Sequence, residues 1–192
     1  SLAAYQTALQ QITFDNTENF SDGRADLFTA GTTGVWNVSG QRYTVTPPPT
    51  GGAMSLLDLG PDHLNYQSYL EVSTKLNTQG RAGIVFDRYG DESFKWAAID
   101  AASDKLIVGH YTKKGGWRED ASMGVTDIVA GGDYTLGLSL KGTTVNATLS
   151  NANGPIAMVG YVFNAHPSRS VAEHEHDDGP GIRPWRRKGE HV

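Results

Sequence analysis

Three aromatic residues stand beside turn-like, charge-rich stretches of this chain. Tyr89 precedes Gly90-Asp91, and Tyr111 and Trp117 flank Lys113-Lys114-Gly115-Gly116. Exposed rings can stack on the C–H faces of a sugar, and Arg88, Asp91, Lys95 and Arg118 are near enough in sequence to add hydrogen bonds to its hydroxyls. The competing assignment is that the same rings cap the edges of an apolar core, since amphipathic aromatics commonly sit there.

Carboxylates offer a second chemistry. Asp15, Asp22, Asp26, Asp87, Asp91 and Asp104 fall at strand ends or in turns, where side-chain and backbone oxygens can converge on calcium. Asp22, Asp87 and Asp91 are the favoured ligands for a structural Ca2+. None has the spacing of a helix–loop–helix or nonapeptide calcium site, and ordinary turn chemistry accounts for each Asp alone. His174, Glu175, His176, Asp177 and Asp178 suit zinc or nickel by donor type, but their spacing is too tight for a preformed tetrahedral site. His63 and His110 are the other two histidines, and no G-x-S-x-G elbow accompanies them, so both read as structural or surface groups. Asn19, Asn37 and Asn146 open N-x-S/T triplets, read here as coincidental.

Composition narrows the classes. A net charge of −5 argues against nucleic acid, which needs a basic face. The absence of cysteine removes disulfides, thiolate chemistry and Cys-ligated metals. No apolar run approaches the length of a membrane-spanning helix. The chain opens on Ser1 with no basic segment leading into an apolar one, so we expect a fragment of a longer protein whose export signal lies outside it.

The elements that must position these groups read as β. Gly34 to Val38 and Arg42 to Val45 flank a tight turn at Ser39-Gly40, and Pro47-Pro48-Pro49 ends the second strand. Met54 to Leu59 is a further apolar run. Within Tyr66 to Leu76, Leu70, Val72, Thr74 and Leu76 share one face. Ala82 to Phe86 is apolar on both faces, which places it mid-sheet. Phe94, Trp96 and Ala98 share a face of the next strand, and Leu106, Val108 and His110 of the one after. Tyr134 to Leu140 and Val145 to Leu149 form a hairpin around Lys141-Gly142, and Ile156 to Phe163 is the last strand. We expect about a dozen strands, no long helix and a two-sheet sandwich. Trp36, Phe86, Phe94 and Trp96 should cost most on truncation. From Asn164 to Val192 only Ala165, Val171, Ala172, Ile182, Trp185 and Val192 are apolar and no period survives, so this tail is expected to be disordered.

The stretches GRAGIVFDRYGDESFKWAAID, SDKLIVGHY and DYTLGLSLKGTTVNATL resemble LamG-like jelly-roll modules of the concanavalin A-like lectin/glucanase superfamily. NFSDGRADLF and GVWNVSGQRYTV are similar to the opening strands of such a module. SLAAYQTALQQITFDNT resembles the end of a cadherin-like or Ig-like repeat of large RTX-type bacterial adhesins, carried by Tyr5, Gln6, Ala8, Leu9, Ile12, Phe14, Asn16 and Thr17. These resemblances imply an all-β, antiparallel jelly-roll sandwich over residues 19–163, after a repeat remnant at 1–18 and before an irregular tail at 164–192. They imply an extracellular or cell-surface adhesion, glycan-binding or spacer module of a multidomain protein. Its partners would be polysaccharides or surface glycans and neighbouring domains, with no nucleic acid and no membrane insertion. The alternative is a polysaccharide-cleaving hydrolase or lyase of the same superfamily. Its catalytic members carry acids at alternate positions of one strand, where both side chains share a face. Here Asp91-Glu92 fall in a turn and Glu119-Asp120 are neighbours that should point apart. The resemblance also implies a closing strand after Phe163. The chain keeps only Asp177-Asp178 of it, which would leave a sheet edge open.

Overall fold

The computed structural model describes residues 17–28, 30–48, 51–57, 69–126 and 128–164. The chain divides into two compact units, Ser1–Leu64 and Asn65–Val192. The described residues form twelve strands and no helix. The expected repeat remnant up to Asn16, Asp15, His63, most of Pro49 to Ser68 and the tail beyond Asn164 lie outside the described residues.

In the first unit β1 (Ala30–Thr33) pairs with β4 (Met54–Leu56), and β2 (Val35–Ser39) forms a hairpin with β3 (Arg42–Thr46), all antiparallel. The hairpin turn is Gly40-Gln41, one residue later than expected. Both residues have positive φ, 58° and 59°, the signature of a primed turn that matches strand twist. Tyr43 centres a small ring cluster, with Trp36 at 4.6 Å, Phe28 at 5.1 Å and Phe20 at 5.5 Å between centroids. Trp36 is only half-buried here, its Nε1 donating to the Thr33 carbonyl at 2.8 Å. Its truncation should therefore cost less than that of the buried rings discussed below.

The second unit is a β-sandwich of two four-stranded antiparallel sheets. One has the order β12-β11-β10-β5, comprising Gly154–Val162, Thr144–Asn151, Asp133–Lys141 and Tyr69–Asn77. The other has the order β6-β7-β8-β9, comprising Arg81–Gly90, Ser93–Asp100, Lys105–Thr112 and Gly116–Gly124. Successive hairpins connect β6 through β9 and β10 through β12, as short Gly- and Asp-containing turns allow.

Alternation sets which residues fill the interior. Leu136, Leu138, Val145, Ala147, Leu149 and Val159 of one sheet meet Ala97, Ile99, Leu106 and Val108 of the other in a single buried cluster. Burial of one such side chain contributes about 1.5–3 kcal/mol. The alternation expected for β5 holds: Leu70, Val72, Thr74 and Leu76 turn inward while Tyr69, Glu71, Ser73 and Lys75 are exposed.

One expectation is corrected. Ala82 to Phe86 lies in β6, an edge strand of its sheet and not a central one. Its inward residues are Ala82, Ile84 and Phe86, whereas on the outward face Gly83 is exposed and Val85 half-buried opposite Trp96 of β7. Glycine, with no side chain, keeps β6 close: a Cβ at Gly83 would stand 1.9 Å from the Ala97 carbonyl oxygen. Residues 116–124 form β9, a strand without an apolar period to announce it, because Arg118, Glu119 and Asp120 interrupt the run.

Candidate functional site

The expected face of Phe94, Trp96 and Ala98 proves to be the one turned away from the sandwich interior. The register sets Phe94 opposite Tyr111, Trp96 opposite Gly109, and Tyr111 opposite Trp117. Side chains opposite one another on one sheet face are direct neighbours, so β7, β8 and β9 gather four aromatic rings. Phe94 stacks on Tyr111 at 4.9 Å between centroids, and Trp117 meets Phe94, Tyr111 and Trp96 at 5.3, 5.3 and 5.5 Å. Edge-to-face and offset arrangements at these distances are attractive beyond the area they bury.

Exposure grades across this cluster. Phe94 and Trp96 are buried, whereas Trp117 on edge strand β9 is 50% exposed. Trp96 lies over Gly109, where a Cβ would stand 2.6 Å from the indole carbon Cζ2. The Trp96 Nε1 donor is buried with no protein acceptor among the described residues. The Arg81 guanidinium sits 5.5 Å from the Trp96 ring centroid.

A charged rung crosses the same face at its other end. Arg81 donates to Asp100 Oδ2 through Nε at 3.1 Å and Nη2 at 2.6 Å. Lys105 Nζ lies 3.3 Å from Glu119 Oε1, which also accepts from the Ser122 hydroxyl. The Arg81 hydrogen bonds hold Asp100 below the usual carboxylate range, and the Ser122 hydroxyl does the same for Glu119. Of these five groups the sequence singles out only Glu119, as half of an acid pair. Their signal was positional, since residues 105, 107, 109 and 111 share a face once the strand is known.

Of the candidate sugar contacts, Tyr111 and Trp117 come together. Arg88 pairs with Asp91 in the irregular end of β6, where Tyr89 is 43% exposed. Lys95 is buried on the opposite, sandwich-facing side. Its Nζ donates to Asp87 Oδ2 at 2.7 Å and stands 4.5 Å from the Phe163 ring centroid. Arg118 alternates away from Trp117, sharing its face with His110, and its Nε donates to the Gly115 carbonyl at 3.1 Å. The candidate set is thus split between two faces, because adjacent strand residues point oppositely.

The metal candidates are dispersed in the same way. Asp87 is paired to Lys95 and Asp91 to Arg88, while Asp22 Oδ1 accepts the Arg24 amide at 3.0 Å in the other unit. Asp104 occupies the β7–β8 turn with a φ of 52°. Among the described residues no three His, Asp or Glu side chains converge as metal ligands. Glu119 and Asp120 point apart as expected, Glu119 to Lys105 and Ser122, Asp120 to His110 Nδ1 at 2.6 Å. Their divergence is the ordinary alternation of neighbouring strand residues, and the register shift between Val108 and Gly109 leaves Asp120 as the extra residue of β9.

No family model, curated protein or solved structure matches the chain.

Proposed function

We propose that this chain is a non-catalytic glycan-binding or adhesion module of a large secreted or cell-surface protein, with Trp117 as the ring on which a sugar stacks. The observation that carries the reading is a half-exposed tryptophan backed by three further rings, Phe94, Trp96 and Tyr111, on one sheet face. Packing on those rings restricts the Trp117 side chain before any ligand arrives, which lowers the entropic cost of binding. Lys105 and Glu119, both partly exposed on the same face, supply charged hydrogen-bonding groups for sugar hydroxyls. The architecture we assign with it is the LamG-like jelly roll of the concanavalin A-like class, which the sequence resemblance supports. The fold alone does not carry the function, because such sandwiches serve many roles.

Binding is favoured over glycan cleavage by the divergence of Glu119 and Asp120, which cannot flank one glycosidic bond. The test is a glycan array followed by calorimetric titration of any hit, with wild type beside Trp117→Ala. Saturable binding that weakens at least about tenfold in the variant, or about 1.4 kcal/mol, is the expected result. Binding that survives Trp117→Ala unchanged, or an array without hits, would overturn the reading.

A further inference from the structure

The four sheet edges of the second unit differ in a way that points to self-association. An edge strand exposes unpaired N–H and C=O groups and invites another strand, so edges ordinarily carry charge. Edge strand β5 carries Glu71 and Lys75. Edge β6 carries Arg81, Asp87 and Arg88, and edge β9 carries Arg118, Glu119 and Asp120. Edge β12, GPIAMVGYV, carries no charged residue. Among the described residues it pairs with β11 on one side and with no strand on the other. Its outward face adds two apolar side chains to solvent, Met158 at 62% and Val162 at 63% exposure.

We propose that β12 is the contact through which two copies of this chain pair, edge to edge and antiparallel, about a two-fold axis at Met158. The backbone phase supports it. The Phe163 amide donates inward to the Thr143 carbonyl at 2.9 Å. In an antiparallel strand the N–H and C=O of one residue point to the same side and alternate along the chain. Phe163, Tyr161 and Val159 therefore bond towards β11, and Val162, Gly160 and Met158 present their groups to the open edge. A two-fold at Met158 makes it exchange both backbone bonds with its own copy. It also sets Ile156 opposite Gly160 of the second copy, where no side chain obstructs. The register shift makes Ile156, beside Pro155, the bulged residue of β12, and it is the side-chain-free Gly160 that faces it. A second copy is the fitting occupant because two uncharged edges do not repel, and a two-fold makes every contact reciprocal. The result joins two four-stranded sheets into one continuous sheet.

Analytical ultracentrifugation tests this on the full chain. Strand pairing is a small interface, so the dimer should appear over roughly the micromolar to millimolar range. Met158→Lys and Met158→Glu each place like charges across the axis and should abolish association at every concentration used. An equimolar mixture of the two should restore it, since lysine then faces glutamate. Val162→Lys, at an equally exposed site, provides a second disruptive variant, and Lys75→Glu on edge β5 should leave dimerisation unchanged. A wild-type chain that stays monomeric throughout the range overturns the proposal, as it would if another segment of the same chain covered the edge. Association by Met158→Lys equal to wild type, or a mixture that fails to associate, also overturns it.

Discussion

The two sheets of the sandwich agree in strand number and antiparallel pairing but differ in the face each turns away from the core. On β5, β10, β11 and β12 that face is built of Glu71, Ser73, Lys75, Ser139, Asn146 and Met158, most of it exposed. On β7 and β8 it is built of Phe94, Trp96, Ala98 and Ile107, all buried, and ends at half-exposed Trp117 on β9. The first sheet follows the usual alternation of an antiparallel layer with one wet side. The second is apolar on both sides at its centre, which is why β7 is buried at every residue from Phe94 to Asp100. An apolar run therefore does not by itself make its strand central, as β6 at the sheet edge demonstrates.

The sharpest way to break this contrast is to truncate one outward side chain on each sheet. Trp96→Ala should lose about 3–5 kcal/mol in urea unfolding, the usual range for a buried aromatic. Met158→Ala, at 62% exposure, should stay within about 0.5 kcal/mol of wild type. Similar losses at both sites would show that the outward face of β7 is not a packed layer.

Matched glycines give a smaller effect with opposite signs. At Gly109 an added Cβ would stand 2.1 Å from the Arg118 carbonyl oxygen and 2.6 Å from the Trp96 ring, so Gly109→Ala should cost about 1–3 kcal/mol through overpacking. At Gly137 the nearest atom is the Thr148 carbonyl oxygen at 3.9 Å, an ordinary contact. Gly137→Ala should be neutral or stabilise by up to about 1 kcal/mol, because glycine in a strand is entropically costly. Destabilisation of equal size at the two glycines would contradict the asymmetry.

The smallest effect is electrostatic. Because Arg81 holds Asp100 below the usual carboxylate range, the ionised carboxylate favours the folded state. That stability is fully present above the unfolded value of about 4 and is lost as pH falls through the lower folded value. Arg81→Met should therefore melt lower than wild type near neutral pH, and the gap should narrow as pH falls below about 4. A gap in melting midpoint that is independent of pH would assign the role of Arg81 to its packing on Trp96 alone.

Much of the second unit was legible because hairpin strands are local. The β10–β11 pair could be read from the alternation of Tyr134, Leu136 and Leu138 against Val145, Ala147 and Leu149 and from the short turn between them. Strand β9 was not legible, since an edge strand with Arg118, Glu119 and Asp120 lacks the apolar period that marks a strand. The candidate site was half legible. Tyr111 and Trp117 were named from their turn-flanking positions, and the hairpin brings them together. Lys95 and Arg118 were grouped with them by proximity in sequence, but a single-residue offset puts a side chain on the other face.

By itself the sequence determined the all-β class, the hairpins and the inward faces of β5, β10 and β11. Each of these depends on a period of two residues and on turns that join neighbours in the chain. The tertiary structure decided which strands became edges, which sheet was buried on both sides, and which distant charges paired, as Arg81 does with Asp100. Those outcomes depend on registers between strands and on how sheets stack, and both are set by packing among residues far apart in sequence.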